Sequence, residues 1–311
     1  MELTEAKKQR KYLLVIAGPT AVGKTALSVK IAQHFNTVVI NADSRQIYKE
    51  LQIGTAKPTL AEMEGIKHYF VDCLSLSEDY NAGKFEKDAL MLLEKSFKKH
   101  DLVVLSGGSG MYIDAVCQGL DDFPEVPVEV RAQLEKELKT LGLEVLQKEL
   151  EKKDPEYYQQ IDIHNPRRIT RALEIIRSSG EKFSTLRKKH LKERHFKIVK
   201  IGLYREREAL YQRINKRMDQ MLSEGLLDEA KSVESFKHTN ALQTVGYKEI
   251  YGYLAGEYDW EETVRLLKRN TRRFAKRQMT WFRKDQGYTW FHPDQENEII
   301  EHTETQIGKD H

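Results

Sequence analysis

Residues 18 to 25 read Gly-Pro-Thr-Ala-Val-Gly-Lys-Thr, a full match to the G-x-x-x-x-G-K-[ST] phosphate loop. Gly18 and Gly23 let backbone N–H groups wrap an anion at a helix N-terminus, Lys24 adds a point charge, and Thr25 can offer its hydroxyl to Mg2+. The context fits that chemistry: Tyr12–Ala17 is an apolar run of strand length, and residues 26–35 carry apolar side chains at helical spacing. A glycine turn capping an ordinary helix would require neither the Lys-Thr pair nor the preceding strand.

Other residues could work beside such a loop. Asp43, in Asn-Ala-Asp-Ser-Arg-Gln-Ile-Tyr at 41–48, follows a second strand-like run and suits either a general base or a plain helix cap. The run at 102–106 leads into Gly-Gly-Ser-Gly-Met-Tyr-Ile, whose glycines admit a close ligand while Ser109 supplies a hydroxyl. That run does not end in the Asp with which many nucleotide hydrolases hold Mg2+, which argues against an ordinary ATPase. Arg213 and Arg217, four residues apart on a helix, suit a diphosphate clamp or a solvated surface equally. The glycine-interrupted segment at 242–249 is uninformative by periodicity.

Basic residues cluster twice. Arg167, Arg168 and Arg171 fall close together on one helical turn, and Arg265, Lys268, Arg269, Arg272, Arg273, Lys276 and Arg277 form a stripe with no acidic residue among them. A solvated helix face normally mixes signs. The unrelieved stripe therefore predicts contact with RNA or DNA, with Trp281 and Phe282 available for stacking on bases.

A scaffold must hold these groups. With 311 residues the chain has room for two domains or one with an insertion, and its net charge of +3 is too small to imply nucleic-acid binding by itself. No stretch reaches the roughly 20 apolar residues needed to span a bilayer, and residues 1–11 are charged without an apolar segment fit for secretion, so no membrane and a cytoplasmic location are expected. Cys73 and Cys117 lack metal-binding spacing and read as core thiols. Short apolar runs at 12–17, 37–41, 68–72 and 102–106 alternate with helical stretches, predicting a parallel sheet with ligands at its carboxyl ends. Beyond about residue 121, Pro124 and Pro127 introduce charged helical segments at 128–153 and 166–179. The expected fold is α/β: a P-loop NTPase-like core of residues 1–120 and 196–311 with a parallel sheet covered by helices, and an all-helical insertion at 121–195. Residues 197–203 return as a strand, long helices follow at 206–223 and 261–281, and the polar tail beyond Pro293 is expected to be mobile.

Taken in order, the phosphate loop, Asp-Ser-Arg-Gln-Ile-Tyr, Ile53-Gly-Thr-Ala-Lys-Pro58, Gly-Gly-Ser-Gly-Met-Tyr, Asn-Pro-Arg-Arg-Ile-Thr-Arg-Ala-Leu-Glu and Val245-Gly-Tyr247 resemble the bacterial tRNA dimethylallyltransferase family over residues 13 to about 283. The resemblance implies transfer of a dimethylallyl group from dimethylallyl diphosphate to the exocyclic amine of the adenosine just 3′ of the anticodon. It implies a diphosphate cradle of Gly18, Thr20, Ala21, Val22, Gly23, Lys24, Thr25, Arg213 and Arg217, with Mg2+ at Thr25. Asp43, Thr20, Lys24 and Arg217 are the implied catalytic set, and Asp43 is the residue that accepts a proton from the adenine amine or orients it. By the same resemblance Asp43, Ser44, Arg45, Gln46, Ser109, Arg131, Arg167, Arg168, Arg171, Gly246 and Lys248 would touch the tRNA anticodon stem-loop, with the target adenine drawn out of its stack, and Arg272 and Arg273 of the basic stripe are expected to join them. Two departures stand out: Ser109 occupies a position where many members carry Thr, and the chain lacks the carboxyl-terminal zinc finger of eukaryotic relatives. A monomer is expected. Competing readings are an isopentenyltransferase acting on free adenine nucleotides, which would share Asp43, a P-loop small-molecule kinase, and a nucleotide-gated RNA-binding module, which would not need Asp43.

Overall fold

The computed structural model describes residues 10–188 and 191–308, so the reading of residues 1–9 and of the last three residues of the tail lies outside it. The first segments are β1 (Tyr12–Ala17), α1 (Lys24–His34), β2 (Val39–Asn41), α2 (Leu60–Met63), β3 (His68–Tyr69), α3 (Ala82–Ser96), β4 (Leu102–Gly107) and α4 (Gly110–Gln118). Five helices follow: α5 (Val128–Leu141), α6 (Leu143–Lys153), α7 (Pro155–Gln160), α8 (Pro166–Ser179) and α9 (Phe183–Leu186). The chain continues through β5 (Lys197–Leu203), α10 (Arg207–Ser223), α11 (Leu226–Ser232), a 3-10 turn (Glu234–Phe236), α12 (Tyr247–Leu254), α13 (Trp260–Phe282), β6 (Tyr288–Phe291) and α14 (Glu296–Gly308). The described residues form two compact units, one lying within residues 1–118 and 193–311, the other within 119–192, against the insertion at 121–195 expected from sequence.

The first unit is built on one parallel sheet in the order β3-β2-β4-β1-β5-β6. β1 and β4 are buried at every position, as continuously apolar strands must be when both faces are covered. Register decides where the site lies. Ala17 stands opposite both Gly107 and Gly202, and Asn41 opposite Ser106, so the loops leaving β1, β4 and β2 emerge at one level of the carboxyl edge.

Several expected elements are altered by local chemistry. β2 begins at Val39 because the Thr37 amide closes the end of α1 by donating to the Ala32 carbonyl at 2.9 Å. β3 stops after two residues where Phe70 and Asp72 adopt left-handed φ values of 59° and 53°. The expected helical stretch at 128–153 is two helices, parted at Gly142 with φ 82°. The sequence reading missed β6, whose four residues pair with β5 from Lys200 opposite Tyr288. It also misjudged the tail. α14 buries Ile299 and Thr303 completely, receives a 3.2 Å hydrogen bond from the Tyr12 hydroxyl at the Ile307 carbonyl, and pairs His34 with Glu304 at 2.9 Å.

The second unit has its own core of Leu134, Leu150, Ile169, Leu173, Ile176 and Phe183. Pro166 opens α8 at a position that lacks an N–H partner anyway, and Gly180, at φ 76°, ends it. Arg177 joins Glu137 and Glu149 on α5 and α6, while buried Asp154 accepts from the Tyr157 amide and from both the amide and hydroxyl of Ser184.

Ending the chain at Gln295 removes the buried Ile299 together with Ile300 and Ile307, which pack on the first unit's core. At about 1.5–3 kcal/mol per fully buried isoleucine, the truncated protein is expected to lose about 3–5 kcal/mol in urea denaturation. An unchanged midpoint would show that α14 is not part of the core.

Candidate active site

The phosphate loop sits between the buried end of β1 and the head of α1. Ala21 and Gly23 take left-handed φ values of 64° and 119°, the alternation that turns successive amides toward one point. Gly18 has no room for a side chain, because a Cβ would lie 2.9 Å from the Leu203 carbonyl on the neighbouring strand. The amides of the first turn of α1 receive no side-chain cap from Gly23 and, among the described residues, open onto the cradle. Arg213 donates to the Ala21 carbonyl at 2.8 Å and Arg205 to the Val22 carbonyl at 2.8 Å, so two arginines brace the loop through its carbonyls.

Lys24 folds back on the loop, its ammonium donating to the carbonyls of Gly18 at 3.1 Å and Pro19 at 2.8 Å. Enclosure lowers its pKa to about 8; the charge of Asp43 opposes that shift and the charge of Arg217 reinforces it. The three side chains therefore share one electrostatic neighbourhood. Arg217 is itself held below the usual guanidinium range by enclosure and by Arg213, and among the described residues it has no hydrogen-bond or ion-pair partner. A shielded cation beside another cation is a place for an anion.

Asp43 opens a turn just past β2, where its Oδ1 accepts from the Arg45 amide at 2.9 Å and the Gln46 amide at 3.4 Å. The carboxylate thus caps its own turn, with no helix following it, and its charge acts on Lys24. Ser109 joins the turn from the end of β4, accepting from the Ser44 amide at 3.0 Å and donating to the Ser44 hydroxyl at 3.1 Å. The two turns touch so closely that a Cβ on Gly107 would lie 2.2 Å from the Ala42 carbonyl.

Gln278 on α13 links the two halves and was missed from the sequence, where it is one neutral residue within a basic stripe. Its side chain is buried; the amide oxygen accepts from the Thr20 amide at 2.8 Å and the amide nitrogen donates to the Gly108 carbonyl at 2.9 Å. Glu229 and Arg205 were missed too, since nothing in sequence spacing marks a residue whose partners lie on other elements.

The donors present suit Mg2+ in one respect. Thr25 is half-buried at the head of α1, and among the described residues no group of three His, Cys, Asp or Glu could hold a metal alone. An ion that keeps water and takes most of its oxygens from a phosphorylated substrate needs only such a hydroxyl. Ser106, where a hydrolase would place its acid, is buried and accepts from Ser28 at 2.7 Å.

The basic stripe is less uniform in space than in sequence. Arg265 pairs with Glu262, Lys268 with Asp219 at 2.5 Å, and Arg272 donates to Asn215 at 2.7 Å, leaving Arg273, Lys276 and Arg277 exposed without acidic partners among the described residues. Phe282 is buried in the core and cannot stack on a base; Trp281 is partly exposed but packs on Gly110 and donates to Asp114 at 2.9 Å. Gly246, at φ 103°, is buried before α12, and Lys248 is exposed. Within the second unit, Arg167 and Arg168 are exposed on the first turn of α8, whereas Arg171 lies over Phe123 and pairs with Glu174 at 3.0 Å, with Arg131 3.9 Å from the same carboxylate.

Comparison with known proteins gives a consistent result. The family model "IPP transferase" matches residues 46–285. A tRNA dimethylallyltransferase of Cytophaga hutchinsonii is 50% identical over 96% of this chain and 98% of its own length, and tRNA dimethylallyltransferase 1 of Bacteroides thetaiotaomicron is 48% identical over 94% and 96%. The full-length tRNA isopentenylpyrophosphate transferase of Bacillus halodurans is similar in structure with a TM-score of 0.72, at 38% identity, over 96% of this chain and 98% of that one. A eukaryotic dimethylallyltransferase crystallised acting on tRNA gives a TM-score of 0.70 at 31% identity, over 87% of this chain and 69% of that one.

The folded Lys24 titrates near 8, below the 10.5 of an unperturbed lysine, so its protonated form costs stability below pH 8 and that cost is relieved as pH rises from 8 toward 10.5. Anion binding has the opposite slope, because the ammonium is lost above about pH 8. Calorimetric titration with diphosphate is expected to show the affinity of the wild type, relative to Lys24→Met, falling from about pH 7 to about pH 9. A ratio independent of pH would remove Lys24 from the anion site.

Proposed function

The chain belongs to the IPP transferase family, and on that premise we propose that its phosphate loop and the Asp43 turn transfer a dimethylallyl group from dimethylallyl diphosphate to tRNA. The acceptor is the exocyclic amine of the adenosine 3′-adjacent to the anticodon. That nitrogen attacks C1 of the dimethylallyl group, the C1–O bond breaks, diphosphate leaves, and the amine gives up one proton. The observation that carries the reading is the shared neighbourhood of Lys24, Arg217 and Asp43, in which two cations and one carboxylate act on a common space.

Each group has one task. The amides at the head of α1, with Lys24, Arg213 and Arg217, take up charge developing on the departing diphosphate, and the amides, set by the backbone, reorganise little during reaction. Asp43 receives or orients the amine proton, its Oδ1 already positioned by two backbone amides. Thr20 and Ser109 flank the reacting groups from the two turns that Gln278 joins. Mg2+, with the Thr25 hydroxyl as its protein ligand, would neutralise diphosphate charge when bound. Ser44, Arg45, Gln46, Gly246, Lys248 and Arg273 serve the anticodon stem-loop from the first unit, and Arg131, Arg167, Arg168 and Arg171 from the second. Arg272, already engaged by Asn215, contributes less than Arg273. The proposed enzyme meets its tRNA in the cytoplasm as a monomer. Separately, among the described residues no helix is long and apolar enough to cross a membrane.

The test incubates the protein with labelled dimethylallyl diphosphate, Mg2+ and an anticodon stem-loop containing three consecutive adenosines, with labelled ATP as the control donor. Label is expected in RNA from the prenyl donor only; phosphorylation from ATP would instead support a kinase. Asp43→Ala should keep stem-loop binding within about threefold and lower transfer by about 10²–10⁴. Transfer at wild-type rate in that variant would contradict the role given to the carboxylate.

A further inference from the structure

The segment Ile53-Gly-Thr-Ala-Lys-Pro58 is the motif to which the proposed chemistry gives no task, and its contacts are unusually directed. One carboxylate, Glu229 on α11, receives four hydrogen bonds. Its Oε2 accepts from the amides of Gln52 and Ile53 at 2.7 Å each, and its Oε1 accepts from the Gly54 amide at 2.8 Å and the Tyr247 hydroxyl at 2.6 Å. Three consecutive backbone amides closing on one carboxylate form the concavity that loops elsewhere present to anionic ligands, filled here by the chain's own side chain. Burial and the neighbouring Glu229 push the Tyr247 phenol far above its usual range, so it remains a donor. Gly54 is required by this approach, since a Cβ there would lie 2.6 Å from the Tyr247 hydroxyl.

The other end of the same loop reaches the proposed general base. Gln46 donates from its side chain to the carbonyls of Thr55 and Ala56 at 3.0 Å each, and its own amide is one of the two that hold Asp43 Oδ1. Buried Lys57 ties the loop to the Tyr48 carbonyl at 2.7 Å and to the Asp72 carboxylate. A continuous series of bonds thus runs from Tyr247, next to Gly246, through Glu229, the 52–56 loop and Gln46 to Asp43. Apart from Gln278, which bonds to both sides, the phosphate loop is braced by other residues, Arg205 and Arg213.

Resting on the reading of Asp43 as the acceptor-side base, we propose that Glu229 is a positioning residue: it locks the 52–56 loop between Tyr247 and Gln46 and so sets Asp43 for the tRNA amine, without taking part in diphosphate binding. The division has a kinetic signature. Replacing the carboxylate by an amide, Glu229→Gln, keeps its shape but turns one acceptor into a donor facing donors.

Steady-state transfer to the stem-loop is compared among the wild type, Glu229→Gln, Tyr247→Phe, Gln46→Met and the double variant Glu229→Gln/Gln46→Met. Glu229→Gln is expected to lower kcat about tenfold and raise the stem-loop KM about threefold, with the KM for dimethylallyl diphosphate within about twofold of wild type. Tyr247→Phe, which removes one hydroxyl, should move the same parameters less. The double variant should be no worse than the more damaging single, as for residues that act through one loop. A parallel rise of both KM values, an unchanged kcat, or additive effects in the double variant would overturn the proposal. If Glu229→Gln does not fold, the cycle is run with Tyr247→Phe and Gln46→Met, where additivity has the same meaning. Absence of transfer by the wild type would instead overturn the functional reading beneath it.

Discussion

The common level at which β1, β4 and β2 end is the constraint on which the site depends. In a parallel sheet each strand delivers its following loop to the same edge, so a register shift of one residue would displace a whole loop relative to its neighbours. Here Ala17, Gly107 and Asn41 bring the phosphate loop, the Ser109 turn and the Asp43 turn side by side. The spacing is then fixed by contacts that tolerate no extra atom, Gly107 against the Ala42 carbonyl and Gly18 against the Leu203 carbonyl. Gln278 satisfies a buried donor on one loop and an acceptor on the other, which converts adjacency into a set distance.

From that edge two kinds of environment diverge. Around the phosphate loop, enclosure and like charge leave cations in need of an anion, as the lowered pKa of Lys24 and an Arg217 without a partner among the described residues record. Around Asp43 the carboxylate is supplied with backbone donors that hold its direction. Apart from Gln278 on α13, which bonds to both, the braces come from different elements: α10 and the segment after β5 for the anion side, α11 and α12 for the acceptor side. Such bracing lets a leaving group and a nucleobase each be oriented by its own contacts at a spacing that Gln278 holds.

The parts legible in the sequence are those whose chemistry is local. The phosphate loop declares itself because its amides, its lysine and its helix are contiguous, and β1, β4, β5 and α8 because their patterns of burial match their periodicity. The parts that were not legible depend on partners distant in sequence. β6 is four residues long and acquires its identity only by pairing with β5, and α14 carries three isoleucines among polar residues that gain meaning only against α1 and β1. Gln278 and Glu229 are ordinary residues until the fold surrounds them. The stripe on α13 misled in the opposite direction, since Asp219 and Asn215 on α10 engage charges that look unrelieved along the chain.

The central claim is that an anion cradle and a carboxylate address the two ends of one reacting pair. It is tested most directly by a crystal structure of the protein with a non-reactive thio-analogue of dimethylallyl diphosphate, Mg2+ and the anticodon stem-loop. The account predicts the diphosphate against Lys24 and Arg217, and an unstacked adenine whose amine lies within about 3.2 Å of Asp43. An adenine still stacked in its loop, or a diphosphate bound away from Lys24, would contradict it.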